Sequence, residues 1–183
     1  AGYAVTFVDV SAALVDAINR QGRYGVRFAG SAQPPATVDR ISAVLASDEP
    51  TVARAVADAD LVTTAVGPRV LPSLAPAIAR GLAARPADRA AAVVIACENL
   101  IGASAVLHAA VRALLPAEKE NAAVFPNCAV DRIVPVQSVD PADPLAVTVE
   151  PYAEWVIEST GFGRRPPPEL PGVKYVDSLA PYI

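Results

Sequence analysis

A short apolar segment that runs directly into small residues constrains the fold of this chain more than any other feature. Residues 61–65 read Leu-Val-Thr-Thr-Ala, and Val-Gly-Pro follows at 66–68. A short apolar run bounded by turn residues is typical of a buried strand. The carboxyl ends of parallel strands are where an open α/β sheet binds ligands, and small residues there let a ligand approach the backbone closely.

Two other segments have the same form. Residues 1–10 are apolar and carry Asp9 near their end, and residues 92–97 are followed by Glu98 and Asn99. Because parallel strands end at the same edge of a sheet, we predict one sheet whose polar strand ends face one ligand.

Composition narrows the class of protein. Of the 183 residues, 53% are hydrophobic and 19% are charged, which favours a globular domain over a disordered chain. The net charge of −4 gives no electrostatic reason to expect nucleic acid, and no apolar run reaches the roughly 18 residues of a membrane span. Two cysteines, Cys97 and Cys128, argue against a disulfide framework and for a reducing compartment, the cytoplasm.

Alternating strand and helix patterns predict an α/β fold. Helices are predicted from an N-cap at Ser11 to Gln21-Gly22 and over 49–58, 69–84 and 100–115. Strands are predicted over 3–10, 24–30, 37–45, 61–65, 91–97, 122–126, 147–150 and 154–158. The first strand is predicted to be fully buried. Strands 24–30 and 37–45 lack an intervening helix, so we predict an antiparallel insertion, and we predict that 147–150 pairs with 154–158.

Several polar residues allow more than one interpretation. An acidic residue at the end of the second strand of a Rossmann fold binds the ribose hydroxyls of NAD, so Asp9 is a cofactor ligand or only a turn residue. Asp131 and Arg132 interrupt an apolar run, either as a structural ion pair or because they face a polar ligand. The only histidine, His108, falls in a predicted helix and is assigned no role, and no metal site is predicted.

Five strings in the same order resemble one family. They are Thr-Phe-Val-Asp-Val at 6–10, Asp-Leu-Val-Thr-Thr-Ala-Val-Gly-Pro at 60–68, Ile-Ala-Cys-Glu-Asn at 95–99, Val-Asp-Arg-Ile-Val-Pro at 130–135, and Val-Thr-Val-Glu at 147–150 with Glu-Trp at 154–155. Together they resemble the long-chain mannitol/polyol dehydrogenases, in the branch of the mannitol-1-phosphate 5-dehydrogenases.

The resemblance implies an incomplete, doubly wound Rossmann-type sheet with a mixed extension. Members of the family begin with a strand and a Gly-rich loop upstream of Ala1, and they end with a helical domain that carries a catalytic lysine. The resemblance therefore implies an incomplete NAD-binding domain over 1–160, a Pro-rich linker over 161–175 and the start of a truncated helical domain over 176–183. We expect the chain alone to be inactive.

The resemblance also implies a reaction and the residues that serve it. The reaction is NAD-dependent hydride transfer between mannitol 1-phosphate and fructose 6-phosphate, without a metal. Asp9 is implied on the adenosine ribose. Four residues are implied to line the cofactor: Thr64, Ala65, Val66 and Gly67. Glu98 is implied as a further cofactor contact, or alternatively as a strand-end carboxylate bound to local backbone.

Three further residues are implied on the substrate side. Asn99 is implied beside the reacting carbon, where an amide donor stabilises developing alkoxide charge. Asp131 is implied to face the substrate, and Arg132 to be its neighbour or to contact sugar hydroxyls or phosphate. Two other functions stay open: a related polyol or hexuronate dehydrogenase, and a non-catalytic Rossmann-like binding module.

Overall fold

A computed structural model describes residues 2–135, 143–163 and 165–183. The α-helices are α1 (Ala12–Gln21), α2 (Glu49–Asp58), α3 (Ala75–Ala84) and α4 (Ala103–Arg112). The strands are β1 (Val5–Asp9), β2 (Arg23–Phe28), β3 (Ala36–Asp39), β4 (Ile41–Leu45), β5 (Leu61–Thr64), β6 (Ala92–Ala96), β7 (Ala123–Val124), β8 (Cys128–Asp131), β9 (Val147–Val149), β10 (Glu154–Glu158) and β11 (Val173–Val176). Short 3₁₀ segments cover Leu71–Leu74, Ala117–Lys119, Ser159–Phe162 and Ala180–Tyr182. In the described ranges, no helix is long and apolar enough to cross a membrane.

The chain divides into two compact units. The first comprises Ala1–Asp48 with Asp131–Ala153, and the second comprises Glu49–Val130 with Glu154–Ile183. Parallel strand pairs occur in both units, and helices α3 and α4 separate the consecutive parallel strands β5, β6 and β7. The predicted α/β class is therefore confirmed.

In the first unit, β1 pairs in parallel with β4, and β2 lies between β3 and β9. Helix α1 begins at the N-cap Ser11, whose hydroxyl accepts a hydrogen bond from the Leu14 N–H at 3.3 Å. It ends at Gly22, whose φ of 65° is the left-handed conformation that glycine adopts at little cost. Five buried residues of this unit form one cluster: Val15, Ile18, Ile41, Ala43 and Leu145.

Two predictions for the first unit are wrong. Strand β1 is not fully buried, because its side chains are exposed except for the half-buried Asp9 and β4 is its one hydrogen-bonded neighbour within the described residues. The predicted strand 37–45 is two strands, because Arg40 adopts a φ of 57° and breaks the extended backbone. β3 is antiparallel to β2 as predicted, but β4 runs parallel to β1.

In the second unit, strands β5, β6 and β7 are parallel neighbours in that order. Helices α3 and α4 bury their apolar faces with β6, and Leu71, Leu82, Val94, Leu107 and Val111 have no accessible surface. The predicted helix 69–84 is a 3₁₀ turn over Leu71–Leu74 followed by α3. This break places Pro76 in the first turn of α3, where a missing N–H costs nothing.

The remaining strands form a separate sheet in the order β11–β10–β8. The prediction that 147–150 pairs with 154–158 is wrong, because β9 pairs with β2 and β10 pairs with β11. β11 begins within the stretch predicted as a linker and pairs in parallel with β10. The prediction of one sheet that includes all three ligand-facing strands is also wrong, since β1 and the β5–β6 pair belong to different hydrogen-bonded sheets. The domain boundaries stay predictions.

Candidate functional site

The carboxyl ends of β5 and β6 lie side by side. The two strands are parallel and in register from Leu61 opposite Val93 to Thr64 opposite Ala96. The Cys97 N–H continues the ladder by donating to the Thr64 carbonyl at 2.9 Å. Two turns therefore start at the same level of the sheet, one over residues 64–67 and the other at 97–100. Both contain residues predicted to belong to the site.

The Glu98 carboxylate joins these two turns. One oxygen, Oε1, accepts hydrogen bonds from the Thr64 hydroxyl at 2.8 Å and from the Val66 N–H at 3.0 Å. The other, Oε2, accepts from the Gly67 N–H at 2.8 Å. The Glu98 residue is only 8% exposed. Both carboxylate oxygens are thus occupied by the 64–67 turn, which is the local-backbone alternative that the sequence left open.

The same contacts fix the backbone of the 64–67 turn. Gly67 has a φ of 88°, a conformation that favours glycine, and its carbonyl accepts hydrogen bonds from the N–H groups of Val70 and Leu71 at 3.0 and 3.2 Å. Ala65 is exposed, and its N–H and carbonyl form no hydrogen bond with any residue that the structure describes. Val66 exposes 41% of its surface. Ala65 and the Val66 side chain are therefore the parts of this turn that a ligand can contact.

Asn99 lies beside the Glu98 anchor and is exposed. Its side-chain amide makes no hydrogen bond within the described part of the chain. The backbone on either side of it is held by the Leu100 N–H, which donates to the Glu98 carbonyl at 2.8 Å. An amide with free donors at the end of a parallel strand can bind an oxygen of a ligand without titrating near neutral pH.

Asp9 ends β1 in the first unit. Its Oδ1 accepts a hydrogen bond from the Ser11 N–H at 2.7 Å, which forms the turn that leads into α1. Oδ2 has no hydrogen-bond partner among the residues described, and the side chain is half-buried. One oxygen therefore shapes the turn and the other is available to a ligand, so both interpretations of Asp9 fit the same geometry.

Asp131 and Arg132 are both exposed at the end of β8. Within the described ranges they form no ion pair with each other, and the Arg132 Nε donates instead to the Tyr152 carbonyl at 3.0 Å. A structural ion pair buried in an apolar run is therefore not what the structure contains. The Asp131 carboxylate and the terminal nitrogens of Arg132 remain accessible to a polar ligand.

A pair of thiols lies in the second unit, just after β6 and at the start of β8, and neither belongs to the predicted site. Cys97 and Cys128 are both free and half-buried, and the Cys128 Sγ lies 3.5 Å from the Ala96 carbonyl. A hydrogen bond from Cys97 lowers the pKa of Cys128, and that hydrogen bond together with burial raises the pKa of Cys97. Both cysteines pack into the cluster around Ile95, Ile157 and Phe162.

The first unit also contains a polar cavity of about 410 Å³, lined by Gln21, Arg23, Tyr24, Gly25, Thr37 and Asp143. The Gln21 amide donates to the Asp143 carboxylate at 3.1 Å across it. None of the predicted site residues lines this cavity. The predicted site residues instead lie at or just after the ends of β1, β5, β6 and β8.

Comparison with known proteins identifies the family. The family model described as the mannitol dehydrogenase Rossmann domain matches residues 1–170. The chain belongs to this family. It is 46% identical over 183 residues to the mannitol-1-phosphate 5-dehydrogenase of an Exiguobacterium species, and 47% identical over 188 residues to that of Brevibacillus brevis. These matches cover 100% of this chain and 47% and 48% of the relatives, so the chain spans about half of their length.

Solved structures show the same fold. The ternary complex of Pseudomonas fluorescens mannitol 2-dehydrogenase with NAD and D-mannitol aligns with a TM-score of 0.77 at 22% identity, over 96% of this chain and 46% of that one. A substrate-free D-sorbitol dehydrogenase aligns with a TM-score of 0.78, also at 22% identity, over 97% of this chain and 48% of that one. The predicted Rossmann-type fold of the mannitol dehydrogenase family is therefore confirmed.

Proposed function

We propose that the protein containing this chain is a cytoplasmic, NAD-dependent oxidoreductase that interconverts mannitol 1-phosphate and fructose 6-phosphate. The observation that carries the proposal is identity of 46–47% along the whole chain to proteins named mannitol-1-phosphate 5-dehydrogenase. The arrangement of strand ends supports it, because exposed polar groups follow parallel strands, where α/β proteins bind ligands. NAD supplies the hydride acceptor, and the residues of this chain bind and orient.

The cofactor roles follow from the groups that remain accessible. We propose that the free Oδ2 of Asp9 accepts hydrogen bonds from the ribose hydroxyls, and that its charge repels a 2′-phosphate. The 64–67 turn, made of Thr64, Ala65, Val66 and Gly67, contacts the cofactor through its exposed part, Ala65 and the Val66 side chain. Thr64 and Gly67 contribute mainly by shaping that turn, since their polar groups bond within the protein.

The substrate roles rest on three exposed polar side chains. Asn99 is the proposed catalytic residue, whose amide donates to the oxygen on the reacting carbon as that oxygen gains negative charge. Asp131 binds substrate hydroxyls, and the Arg132 guanidinium binds hydroxyls or the phosphate group. The Arg132 Nε donates to the Tyr152 carbonyl, and its terminal nitrogens, which have no partner among the described residues, are the groups proposed for that role.

The test is a substrate comparison on the full-length protein. NADH oxidation is followed with fructose 6-phosphate, free fructose and a keto-hexuronate, and the reverse reaction with mannitol 1-phosphate and mannitol. We expect kcat/KM for fructose 6-phosphate to exceed that for fructose by at least about a hundredfold, because a bound phosphate adds charge-assisted hydrogen bonds. A preference for fructose or the hexuronate would instead assign a related polyol or hexuronate dehydrogenase. NAD binding without turnover of any of them would assign a binding module.

A further inference from the structure

The Glu98 carboxylate is the one acidic group of the second unit that is both buried and bonded to the 64–67 turn, among the residues described. A buried carboxylate is costly unless its oxygens are satisfied. Here three donors converge on it, the Thr64 hydroxyl and the N–H groups of Val66 and Gly67, at 2.8 to 3.0 Å. All three contacts are made by donors, which matches an ionised carboxylate because that group only accepts hydrogen bonds.

The two backbone donors are consecutive in the chain. Successive N–H groups that point into one concavity form an anion-binding nest, the arrangement with which glycine-rich loops bind phosphate. In this protein the nest at Val66 and Gly67 is filled by Glu98 from the turn that follows the neighbouring strand β6. Those two N–H groups are therefore not available to a cofactor phosphate.

We propose that Glu98 is a positioning residue that acts through the 64–67 turn and does not itself contact the cofactor. Its carboxylate holds the turn in the conformation that presents Ala65 and the Val66 side chain to NAD. Because Glu98 immediately precedes Asn99, the same anchor fixes the start of the turn that carries the catalytic amide. This inference rests on the proposed function, and it replaces the direct contact that the resemblance implies for Glu98.

The contact geometry makes the role specific to a carboxylate. In a Glu98→Gln variant, an amide oxygen at the position of Oε1 serves Thr64 and Val66, but the amide nitrogen then faces the Gly67 N–H. In the flipped orientation the oxygen serves Gly67, and the nitrogen faces the Val66 N–H. Either way one donor of the nest is opposed by another donor, so the turn loses its single conformation while the volume of the side chain stays the same.

The test compares Glu98→Gln with Ser104→Ala in the full-length protein. Ser104 of α4 is a matched control, because it is 1% exposed and its hydroxyl accepts a hydrogen bond from the Ala96 N–H of β6 at 2.9 Å, but it forms no hydrogen bond with the 64–67 turn within the described residues. We expect Glu98→Gln to raise the Kd for NAD by about tenfold or more. Only molecules whose 64–67 turn has the wild-type conformation bind NAD, and the variant lowers their fraction. Ser104→Ala should lower the unfolding midpoint and leave this Kd within twofold of wild type.

A second measurement does not depend on the cofactor. Hydrogen exchange of the Val66 and Gly67 amides, followed by NMR, should accelerate in Glu98→Gln at least tenfold, with the Leu107 and Val111 amides of α4 as internal references. Slow exchange of both amides in Glu98→Gln would overturn the anchor itself. Fast exchange with an unchanged Kd for NAD would overturn the positioning role. If the wild-type protein binds no NAD, the proposed function and the positioning role both fail, while the exchange experiment still decides the anchor.

Discussion

Gly81 of α3 lies so close to Val56 of α2 that a side chain at position 81 has no space. A Cβ added to Gly81 would lie 2.4 Å from the Val56 Cβ and 2.9 Å from the Ala53 carbonyl oxygen. Real Cβ atoms do not approach other atoms this closely, and the nearest atoms belong to the backbone or to a β-branched side chain that cannot rotate away. The glycine therefore sets the distance between the two helices.

Gly81→Ala should accordingly destabilise the protein by about 1 to 3 kcal/mol, the usual cost of overpacking. Helix propensity alone acts in the opposite direction, since alanine is favoured over glycine by about 1 kcal/mol in a helix interior. The free energy of unfolding from a denaturant titration distinguishes the two effects by sign. A more stable Gly81→Ala variant would mean that α2 and α3 can move apart at little cost.

The buried side chain of Arg85 links three backbone carbonyls in the second unit. It is 2% exposed, and its guanidinium donates to the carbonyls of Ala57, Ala59 and Ala90 at 2.6 to 2.9 Å. Burial lowers its pKa from the ordinary arginine value, yet the contacts still match a charged group, bonded to two carbonyls at the end of α2 and to the Ala90 carbonyl before β6.

Arg85→Met should cost about 3 to 5 kcal/mol, because it removes charge-assisted hydrogen bonds and leaves buried carbonyls without that donor. Arg85→Lys should recover less than half of the loss, because an ammonium group cannot reach three separated carbonyls as the planar guanidinium does. Denaturant titrations of the three proteins measure these differences. Equal stability of the lysine variant and wild type would show that charge alone is required.

Sequence patterns predicted those elements whose signals are local. The strand at 61–65, the helix at 49–58 and the strand at 91–97 depend on apolar runs and helical spacing, and β5, α2 and β6 confirm them within a few residues. Strand partners were not predictable in this way. Nothing in the residues of β9 indicates that its neighbour is β2, more than 100 positions earlier, because pairing between distant strands depends on the whole topology.

In the candidate site too, positions set by local sequence were predictable, and contacts between distant residues were not. The position of Glu98 and Asn99 at a strand end followed from the apolar run before them. The sequence left two roles open for Glu98, and the folded structure shows both oxygens bonded to the 64–67 turn, a contact between residues 31 to 34 positions apart. Exposure of β1 was missed because an apolar, β-branched segment looks the same whether or not both of its faces are covered.

The thiol pair predicts a dependence of stability on pH. The pKa of Cys128 is lowered in the folded protein, chiefly by the hydrogen bond from Cys97, so between this lowered value and the ordinary thiol pKa the unfolded chain binds more protons and stability rises with pH. The pKa of Cys97 is raised, so above the ordinary thiol value stability falls again. Cys97→Ala should remove this maximum, measured as the free energy of unfolding from pH 6 to 10 under reducing conditions. A curve of the same shape in both proteins would contradict the coupling of the two thiols.

Cofactor preference tests Asp9. Asp9→Asn keeps an oxygen for the Ser11 N–H and therefore the turn into α1, but it removes the charge. We expect kcat/KM with NAD to fall by about 10- to 150-fold, the loss of a charged hydrogen bond of about 1.5 to 3 kcal/mol, while use of NADP improves because repulsion of the 2′-phosphate is gone. Steady-state kinetics with both cofactors on the full-length protein give the ratio. An unchanged ratio in a folded variant would mean that Asp9 serves only the turn.

The last prediction concerns the chemical step and depends on how little Asn99 does for the fold. Its side chain is exposed and bonds to no other residue that the structure describes, so Asn99→Ala should leave the unfolding midpoint unchanged. In the proposed reaction, negative charge grows on the carbonyl oxygen of fructose 6-phosphate as hydride moves to its carbon, and we expect the Asn99 amide to donate to that oxygen more strongly than in the ground state. Asn99→Ala should therefore lower kcat by roughly 10² to 10³, the size seen when one such donor is removed, with little change in the Kd for NAD.

Asp131→Asn is the comparison, and it should act mainly on KM, as expected for a contact made equally in the ground and transition states. A folded Asn99→Ala protein with near-normal kcat would exclude the Asn99 amide from the chemical step. Loss of folding in Asn99→Ala would assign the residue a structural role, which its exposure argues against.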